Sequence, residues 1–420
     1  MSGSCAHLTY TPATEGDLDA ASRVLDLAFA GGFEGTREWL GKSGVEHLRV
    51  LRDTAGGGAA TGATAAGPGG IDLGLAATLM RVPMGHFVGG RSVPCVGIAG
   101  VSVPPERRGG GVASHLMRSA LREIHEEGVA LSSLYASTRA LYRRVGYELA
   151  WHWNTYQVPL WRIGLDPAEP ALRRVDPGDE GVQRIVKGLY ERFAPTQAAM
   201  LDRREYVWMR VFKPRGGGDP KALFIGDDAA DPEAYVVFIQ ERNPETGHHD
   251  VLVSDVASRT PRGWGKALGA MRRFCTTGDH VRFAAGPNHP WLLLDTEHTA
   301  KIVRHEPGML RIVRLEDAIR GRGYPVGVDA EVVLDIEDDL FAGNAGRWRL
   351  RVRDGRGEAS RVSSGGDAIR VPIRALASLY TGFISPRQAA IVGWIEGPGA
   401  ALDALGAALA GPTPWMPNFF

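Results

Sequence analysis

Residues 101–117 read VSVPPERRGGGVASHLM, and the fold turns on them. An apolar stretch runs up to two prolines, glycines 109–111 follow, and a helix is expected from about 112 to 127. Glycines between a strand and a helix let successive backbone N–H groups converge on one point. The helix N-terminus adds about half a positive charge there. This suits a pyrophosphate, each N–H to a charged oxygen contributing roughly 1.5–3 kcal/mol. The pattern Arg108-x-x-Gly111-x-Ala113 lacks the Gly-Lys-Ser/Thr ending of a P-loop. It is not the GxGxxG fingerprint of an N-terminal dinucleotide-binding strand either. On the turn alone, a plain glycine-rich connector is the competing reading.

Upstream, residues 8–11 are extended. Leu18, Ala21, Leu25 and Ala28 then recur at helical spacing, behind a cap at Thr14 or Thr11 and the acidic Glu15 and Asp17. A short strand is expected at 47–51 and longer ones at 73–82 and 91–103. Residues 55–70, AGGGAATGATAAGPGG, are low in complexity and predict a surface loop. Downstream come a strand at 134–135, a short helix at 138–144 and a strand at 147–151. This order predicts an α/β domain over residues 1–155.

A second α/β segment, 156–314, repeats part of the first. VSDVASRTPRGWGKALGAMRRF (253–274) matches 101–121 in its Val-Ser opening, its Arg-Gly-x-Gly and its amphipathic helix. The tetrad is Arg108-Gly109-Gly110-Gly111 in one copy and Arg262-Gly263-Trp264-Gly265 in the other, with a two-residue insertion and a tryptophan in the second. That copy reads as degenerate. In the third segment, 315–420, EVVLDIEDD, RWRLRVRDG and AIRVPI alternate apolar and polar residues like half-exposed antiparallel strands. RALASLYTGF and ALDALGAALAG read as helices. The end, GPTPWMPNFF, is proline-rich and apolar, so it cannot be an ordinary helix and has reason to be buried.

At 420 residues the chain should hold two to four domains of roughly 100–200 residues. Lys plus Arg equals Asp plus Glu at 48 each, which argues against a chain built mainly to bind nucleic acid. Cys5, Cys95 and Cys275 are too few and too far apart for a zinc or redox pair, and fit a reducing, cytoplasmic setting. Neither a signal peptide nor an apolar run of about 18 residues is evident, so no membrane partner is expected. His248-His249-Asp250 sits beside Pro244 and Gly247 and reads as a turn rather than a metal set; no metal is expected. His86 reads either as a border of an acceptor cleft or as a surface histidine. Arg143-Arg144 reads as a solvated face.

The 101–117 stretch, followed by LYASTRALYRRVGYELA (134–150), resembles the acetyl-CoA-binding core of GNAT-family N-acetyltransferases. Two GNAT-like halves, a third α/β segment and an apolar C-terminus resemble the Eis family of actinobacterial, aminoglycoside-acetylating enzymes within it. The resemblance implies an α/β (α+β) protein of three parts. A catalytic GNAT domain (1–155) is followed by a degenerate GNAT-like domain (156–314) and a sterol-carrier-like domain (315–420), whose tail reaches the active site. It implies acetyl-CoA as co-substrate, a small-molecule amine as acceptor and a homohexamer. It also implies that Val101, Ser102 and Val103 offer backbone groups to the acetyl and pantetheine parts. Arg108, Gly109, Gly110, Gly111, Val112, Ala113 and Ser114 would form the pyrophosphate turn, and Ser137 and Thr138 would lie beside pantetheine. Tyr142 would be the general acid, and the C-terminal carboxylate of Phe420 the general base.

These types suit the reaction. A primary amine with pKa near 10 is about one part in a thousand unprotonated at pH 7, so a base helps. An α-carboxylate titrates near 3.5 in water and is a weak base, but burial among apolar groups strengthens a carboxylate as a base. A backbone N–H near Val103 suits the oxyanion, and a tyrosine hydroxyl suits the departing thiolate. Tyr147 is the rival to Tyr142 and reads as strand packing. Trp39 is expected as an aromatic wall for a cationic acceptor. Two features depart from an acidic pocket: Phe419 is penultimate, and Ala30-Gly31-Gly32-Phe33 holds no carboxylate before Glu34. Both predict a less acidic pocket that prefers a different amine. The contrasting expectation is a non-catalytic CoA- and lipid-binding protein on a retained fold.

Overall fold

The computed structural model of the chain describes every residue except 1–4, 6, 54–73, 165–171, 215–217, 229, 296 and 364–366. The low-complexity stretch 55–70 therefore lies outside the described residues. The first sheet holds β1 (Leu8–Pro12), β2 (Leu48–Asp53), β3 (Ala77–Val88), β4 (Arg91–Ser102), β5 (Leu131–Tyr135) and β6 (Glu148–Trp151). β1 to β4 run antiparallel in order, and β5 joins β4 in parallel. The strand Gly308–Ile312 then inserts between β5 and β6, antiparallel to both. The division at 314/315 gives this strand to the second segment, yet its hydrogen bonds are to the first. Leu201–Asp202 also pairs with β3, so the first sheet is completed twice by later chain.

Four helices dress this sheet. α1 (Leu18–Phe29) and α2 (Phe33–Ser43) cover one face. α3 (Val112–Glu126) and the short α4 (Arg139–Arg143) cover the other. α3 turns Val112, Leu116, Met117, Ala120, Leu121 and Ile124 inward, the apolar stripe its sequence spells. Its far end is pinned by Glu123, which accepts from Tyr10 Oη (2.5 Å) and Arg49 Nη2 (2.7 Å) and pairs with Arg81 Nη1 (2.8 Å).

The second segment carries a seven-stranded sheet, with a parallel pair between His249–Ser258 and Gly278–Ala285 at its centre. The third carries a four-stranded sheet and the helices Leu315–Gly321, Ile373–Thr381, Pro386–Ile391 and Gly399–Leu409. Its core is continuous with that of the first sheet. Arg374 reaches the fully buried Glu148 of β6 (2.7 Å), and the buried Arg311 meets Asp338 (2.7 Å). At the β3–β4 turn Gly323 N donates to Val88 O (2.9 Å), and a Cβ on Gly89 would lie 2.2 Å from Gly323 O. Only glycine permits that approach.

Candidate active site

β4 and β5 pair from Cys95–Leu131 to Ile98–Leu134 and no further. Beyond that point β4 runs on to Ser102 against β3, while β5 ends at Tyr135 and leads into α4, which leaves that edge of β4 open among the described residues. At Gly100 (φ +58°) β4 carries an irregularity, marked by a register shift against β3 between Thr78 and Met80. A side chain on Gly100 would sit 3.1 Å from both Leu25 and the Trp39 ring. Trp39 is thus held over β4 at the opening, with its indole N–H donated to Tyr206 Oη (2.8 Å). Val101 is half-buried, Ser102 and Val103 are buried, and Ser102 Oγ has no hydrogen-bond partner among the described residues.

The glycine turn 109–111 leads directly into α3. Gly109 (φ +84°) and Gly111 (φ +85°) are left-handed, and Gly111 caps α3. Glycines 109–111 are exposed, and a Cβ on Gly109 would meet nothing. Cys5 Sγ lies beside the turn, donating to Gly110 O (3.3 Å), and the N-terminus of α3 is otherwise exposed among the described residues. Arg108 does not point into it: its Nε donates to Val103 O (3.0 Å), tying the turn to the strand end. Val112 is buried, while Ala113 and Ser114 are half-buried. Ser137 and Thr138 are exposed between β5 and α4.

The two tyrosines separate clearly. Tyr147 is fully buried, and its hydroxyl is shared with Ser132 Oγ (2.7 Å), which donates to Val96 O. Tyr142 is nearly buried, packs edge-on to Tyr147, and has no hydrogen-bond partner for its hydroxyl among the described residues. Burial alone pushes its phenol up to about 12, so it is protonated at any physiological pH. Tyr142 packs with Val96, Ile98 and Leu134 on the α3 face. Phe420 packs with Cys95, Ala99 and Leu131 on the opposite face. The Phe420 ring rests on β4 at Gly97, where any Cβ would lie 2.7 Å from it.

The tail is fastened along its length. His152 N donates to Pro414 O (2.9 Å), Trp415 N to Ala198 O (3.0 Å), and Met416 N to His152 O (3.2 Å). Trp153 Nε1 donates to Pro417 O (3.0 Å) and Tyr135 Oη to Asn418 O (2.7 Å). Phe419 stacks on Tyr135 at 4.6 Å. None of Tyr135, Trp151, Trp153 or Arg203 was singled out from sequence. Trp151 ends the 147–151 strand read from sequence and Trp153 follows it, but nothing in their spacing says that they face the chain end.

Other expectations change. His86 is neither surface nor cleft-lining. It is buried beside Trp151, with Nδ1 donating to Ala199 O (2.9 Å) and Nε2 left to accept from Ser133 Oγ (3.1 Å). Burial lowers its pKa to about 4. Arg143 is no free solvated cation: it binds Glu148 (2.8 Å). In the triad 248–250, His248 pairs with Asp279, His249 with Gln240, and Asp250 with His280 and Arg282, each separately. Among the described residues no cluster of metal ligands occurs. In the second copy the tetrad 262–265 is not a turn at all. Thr260 caps the helix, its Oγ1 accepting from Gly263 N (2.9 Å), and Pro261 starts it. The glycines lie inside that helix, so no loop of free N–H groups precedes it.

Residues 9–150 match the acetyltransferase (GNAT) domain and residues 315–417 the sterol carrier protein domain. An uncharacterized N-acetyltransferase of Streptomyces avermitilis is 29% identical over 350 residues, covering 79% of this chain and 83% of that protein. The N-acetyltransferase Eis of Mycobacterium tuberculosis is 25% identical over 365 residues, covering 82% and 84%. Among solved structures, a GCN5-related N-acetyltransferase from Anabaena variabilis superposes with TM-score 0.88 at 29% identity, over 98% of this chain and 100% of that one. Eis1 from Mycobacterium abscessus shares the fold, with TM-score 0.76 at 19% identity over 98% and 100%. These likenesses make the protein an N-acetyltransferase with a GNAT domain over residues 9–150 and a sterol carrier protein domain over residues 315–417, similar along most of its length to Eis.

Proposed function

We propose that this N-acetyltransferase moves the acetyl group of acetyl-CoA to a primary amine, with aminoglycosides the acceptor class to test first. One observation carries the reading. Tyr142, whose hydroxyl has no partner among the described residues, lies in the apolar cluster on the α3 face of the first sheet, and the ring of Phe420 rests on the other face of β4 at Gly97. The residues present fit acetyl-CoA: an open glycine turn at the N-terminus of a fifteen-residue helix, and a strand edge without a partner beside it. When bound, acetyl-CoA supplies the thioester carbonyl.

In this proposal residues 108–114 hold the pyrophosphate, Val101 to Val103 offer backbone groups to the acyl arm, and Ser137 and Thr138 flank pantetheine. The Phe420 carboxylate takes the amine proton, directly or through a water. Tyr142 donates to the departing sulfur. With its phenol near 12 and a free thiol near 8.5, full transfer in the resting site is uphill by about 5 kcal/mol. Tyr142 therefore acts first as a hydrogen-bond donor and completes proton transfer as the site opens to water. Trp39 walls the acceptor side. The Eis likeness also motivates a homohexamer and a cytoplasmic setting, readable by light scattering and by fractionation.

The test is thiol release from acetyl-CoA with a panel of aminoglycosides and simple amines, using the intact chain and one extended by a few residues after Phe420. Turnover by the intact chain and loss of about 100-fold or more in the extended one is the expected result. Equal activity removes Phe420 as the base. Acetyl-CoA binding without thiol release for any amine overturns the catalytic reading in favour of a binding protein.

A further inference from the structure

The second segment has lost the phosphate turn, yet it keeps a buried ion pair aimed at the chain end. Arg203 and Asp255 are each at most 1% exposed in their side chains, and they pair through two bonds, Nη1–Oδ2 (2.6 Å) and Nη2–Oδ1 (2.7 Å). Tyr235 Oη donates a further bond to Asp255 (2.6 Å). The guanidinium lies 3.5 Å from the Tyr190 ring centroid and 4.7 Å from that of Trp208. Asp255 sits where its strand slips register against Ala234–Arg242, between Val237 and Phe238. Such an irregularity re-aims side chains.

A buried pair of this kind rarely adds stability over apolar packing, because both ions lose their hydration. What it fixes here is direction. Two bonds to Asp255 and two aromatic faces lock the planar fork, leaving Nε to project one way. Its partner there among the described residues is Asn418 Oδ1, at 3.0 Å. The backbone carbonyl of the same residue accepts from Tyr135 Oη (2.7 Å), and that hydroxyl accepts from Trp151 Nε1 (3.2 Å). Asn418 is therefore gripped from the second segment through its side chain and from the first through its backbone. Two residues remain to the carboxylate, a span of at most about 7 Å.

We propose that Asn418, oriented by the Arg203–Asp255 pair, is a positioning residue that sets the terminal carboxylate at the reaction site. The degenerate half is on this view retained as the jig for the base. The inference rests on the reading of Phe420 as the base.

The experiment compares the intact chain, Asn418→Leu, Asn418→Asp and the C-terminally extended chain. Asn418→Leu keeps the size and removes the acceptor oxygen, and Asn418→Asp restores it. Two measurements are made: steady-state kinetics with the best amine of the panel, and release of phenylalanine by carboxypeptidase A, which needs no activity. In Asn418→Leu, kcat should fall about 10- to 100-fold with the KM for acetyl-CoA unchanged within twofold. Phenylalanine should be released at least about tenfold faster, at a rate limited by tail opening. Asn418→Asp should recover both. A merely structural residue would move Tm and both kinetic constants together. Wild-type kcat, or wild-type phenylalanine release, in Asn418→Leu overturns the proposal. An extended chain as active as the intact one overturns the assignment of the base instead, a separable failure.

Discussion

At the residue scale, the chain end and β4 are fitted to each other. Gly97 has no need of a left-handed backbone; it is glycine because a Cβ would lie 2.7 Å from the Phe420 ring and 2.5 Å from Met84 Cε. The methionine tip can swing away, but the ring is held by Tyr135, with centroids 5.5 Å apart. Gly97→Ala should therefore displace Phe420 and lower kcat about tenfold or more, with acetyl-CoA binding intact by calorimetry. Unchanged turnover would mean that the ring's seat does not govern catalysis. Tyr142→Phe removes only a hydroxyl that no described residue uses. It should leave Tm within a few degrees and lower kcat by about 100-fold, in the range of a positioned acid. If Tyr147→Phe has that effect instead, the acid has been misassigned. That variant should mainly destabilise, since Ser132 Oγ loses one of its two partners and keeps only Val96 O.

At the element scale, the glycine turn is held in place because α3 is anchored at its far end. Glu123 collects Tyr10, Arg49 and Arg81 from three strands, and Arg81 also reaches Glu127. The helix axis, and with it the N-terminal N–H groups, is thereby aimed. Gly111→Ala places a Cβ at φ +85°, at a cost of about 1–2 kcal/mol. It should raise the KM for acetyl-CoA several-fold with kcat little changed; an unchanged KM would exclude the turn as the phosphate site. The first copy of this element was legible because its chemistry is local: strand, glycines and amphipathic helix are contiguous. The second copy misled for an equally local reason. Thr260 and Pro261 start the helix four residues before Gly265, so similar glycines lie within the helix instead of ahead of it. Neither the strand 308–312 nor its place between β5 and β6 was legible in the sequence. Register across distant segments is set by tertiary packing, which no short window of sequence encodes. The clamp on Asn418 was illegible for the same reason: Arg203, Asp255 and Tyr135 meet only after two sheets have formed.

At the scale of the whole molecule, two buried histidines stand where the tail and the second segment meet the first sheet. His86 donates from Nδ1 to Ala199 O and accepts at Nε2 from Ser133, bridging β3 to later chain. His289 accepts at Nδ1 from Trp291 N (3.2 Å), and its ring lies 5.2 Å from that of Trp415 in the tail. Burial lowers their pKa values to about 4 and about 3. In the unfolded chain both titrate near 6.5, so between there and the folded values the unfolded state binds more protons. Stability is therefore full above about pH 6.5 and declines as pH falls, by up to about 1.4 kcal/mol per unit for each histidine. The His86 contribution is exhausted near pH 4, after a total on the order of 3 kcal/mol. Protonation also costs each ring an accepted bond, the one from Ser133 at His86 and the one from the Trp291 amide at His289. Acid should thus loosen the seat of the tail while the individual sheets persist. In melts from pH 7.5 to 4.5, Tm should fall steadily below pH 6.5, and carboxypeptidase A should release phenylalanine faster at pH 5 than at pH 7 after correction for its own pH profile. His86→Gln, which cannot be protonated, should start from a lower Tm at pH 7.5 but show a shallower decline. A decline as steep as the wild type would assign the acid sensitivity to other groups.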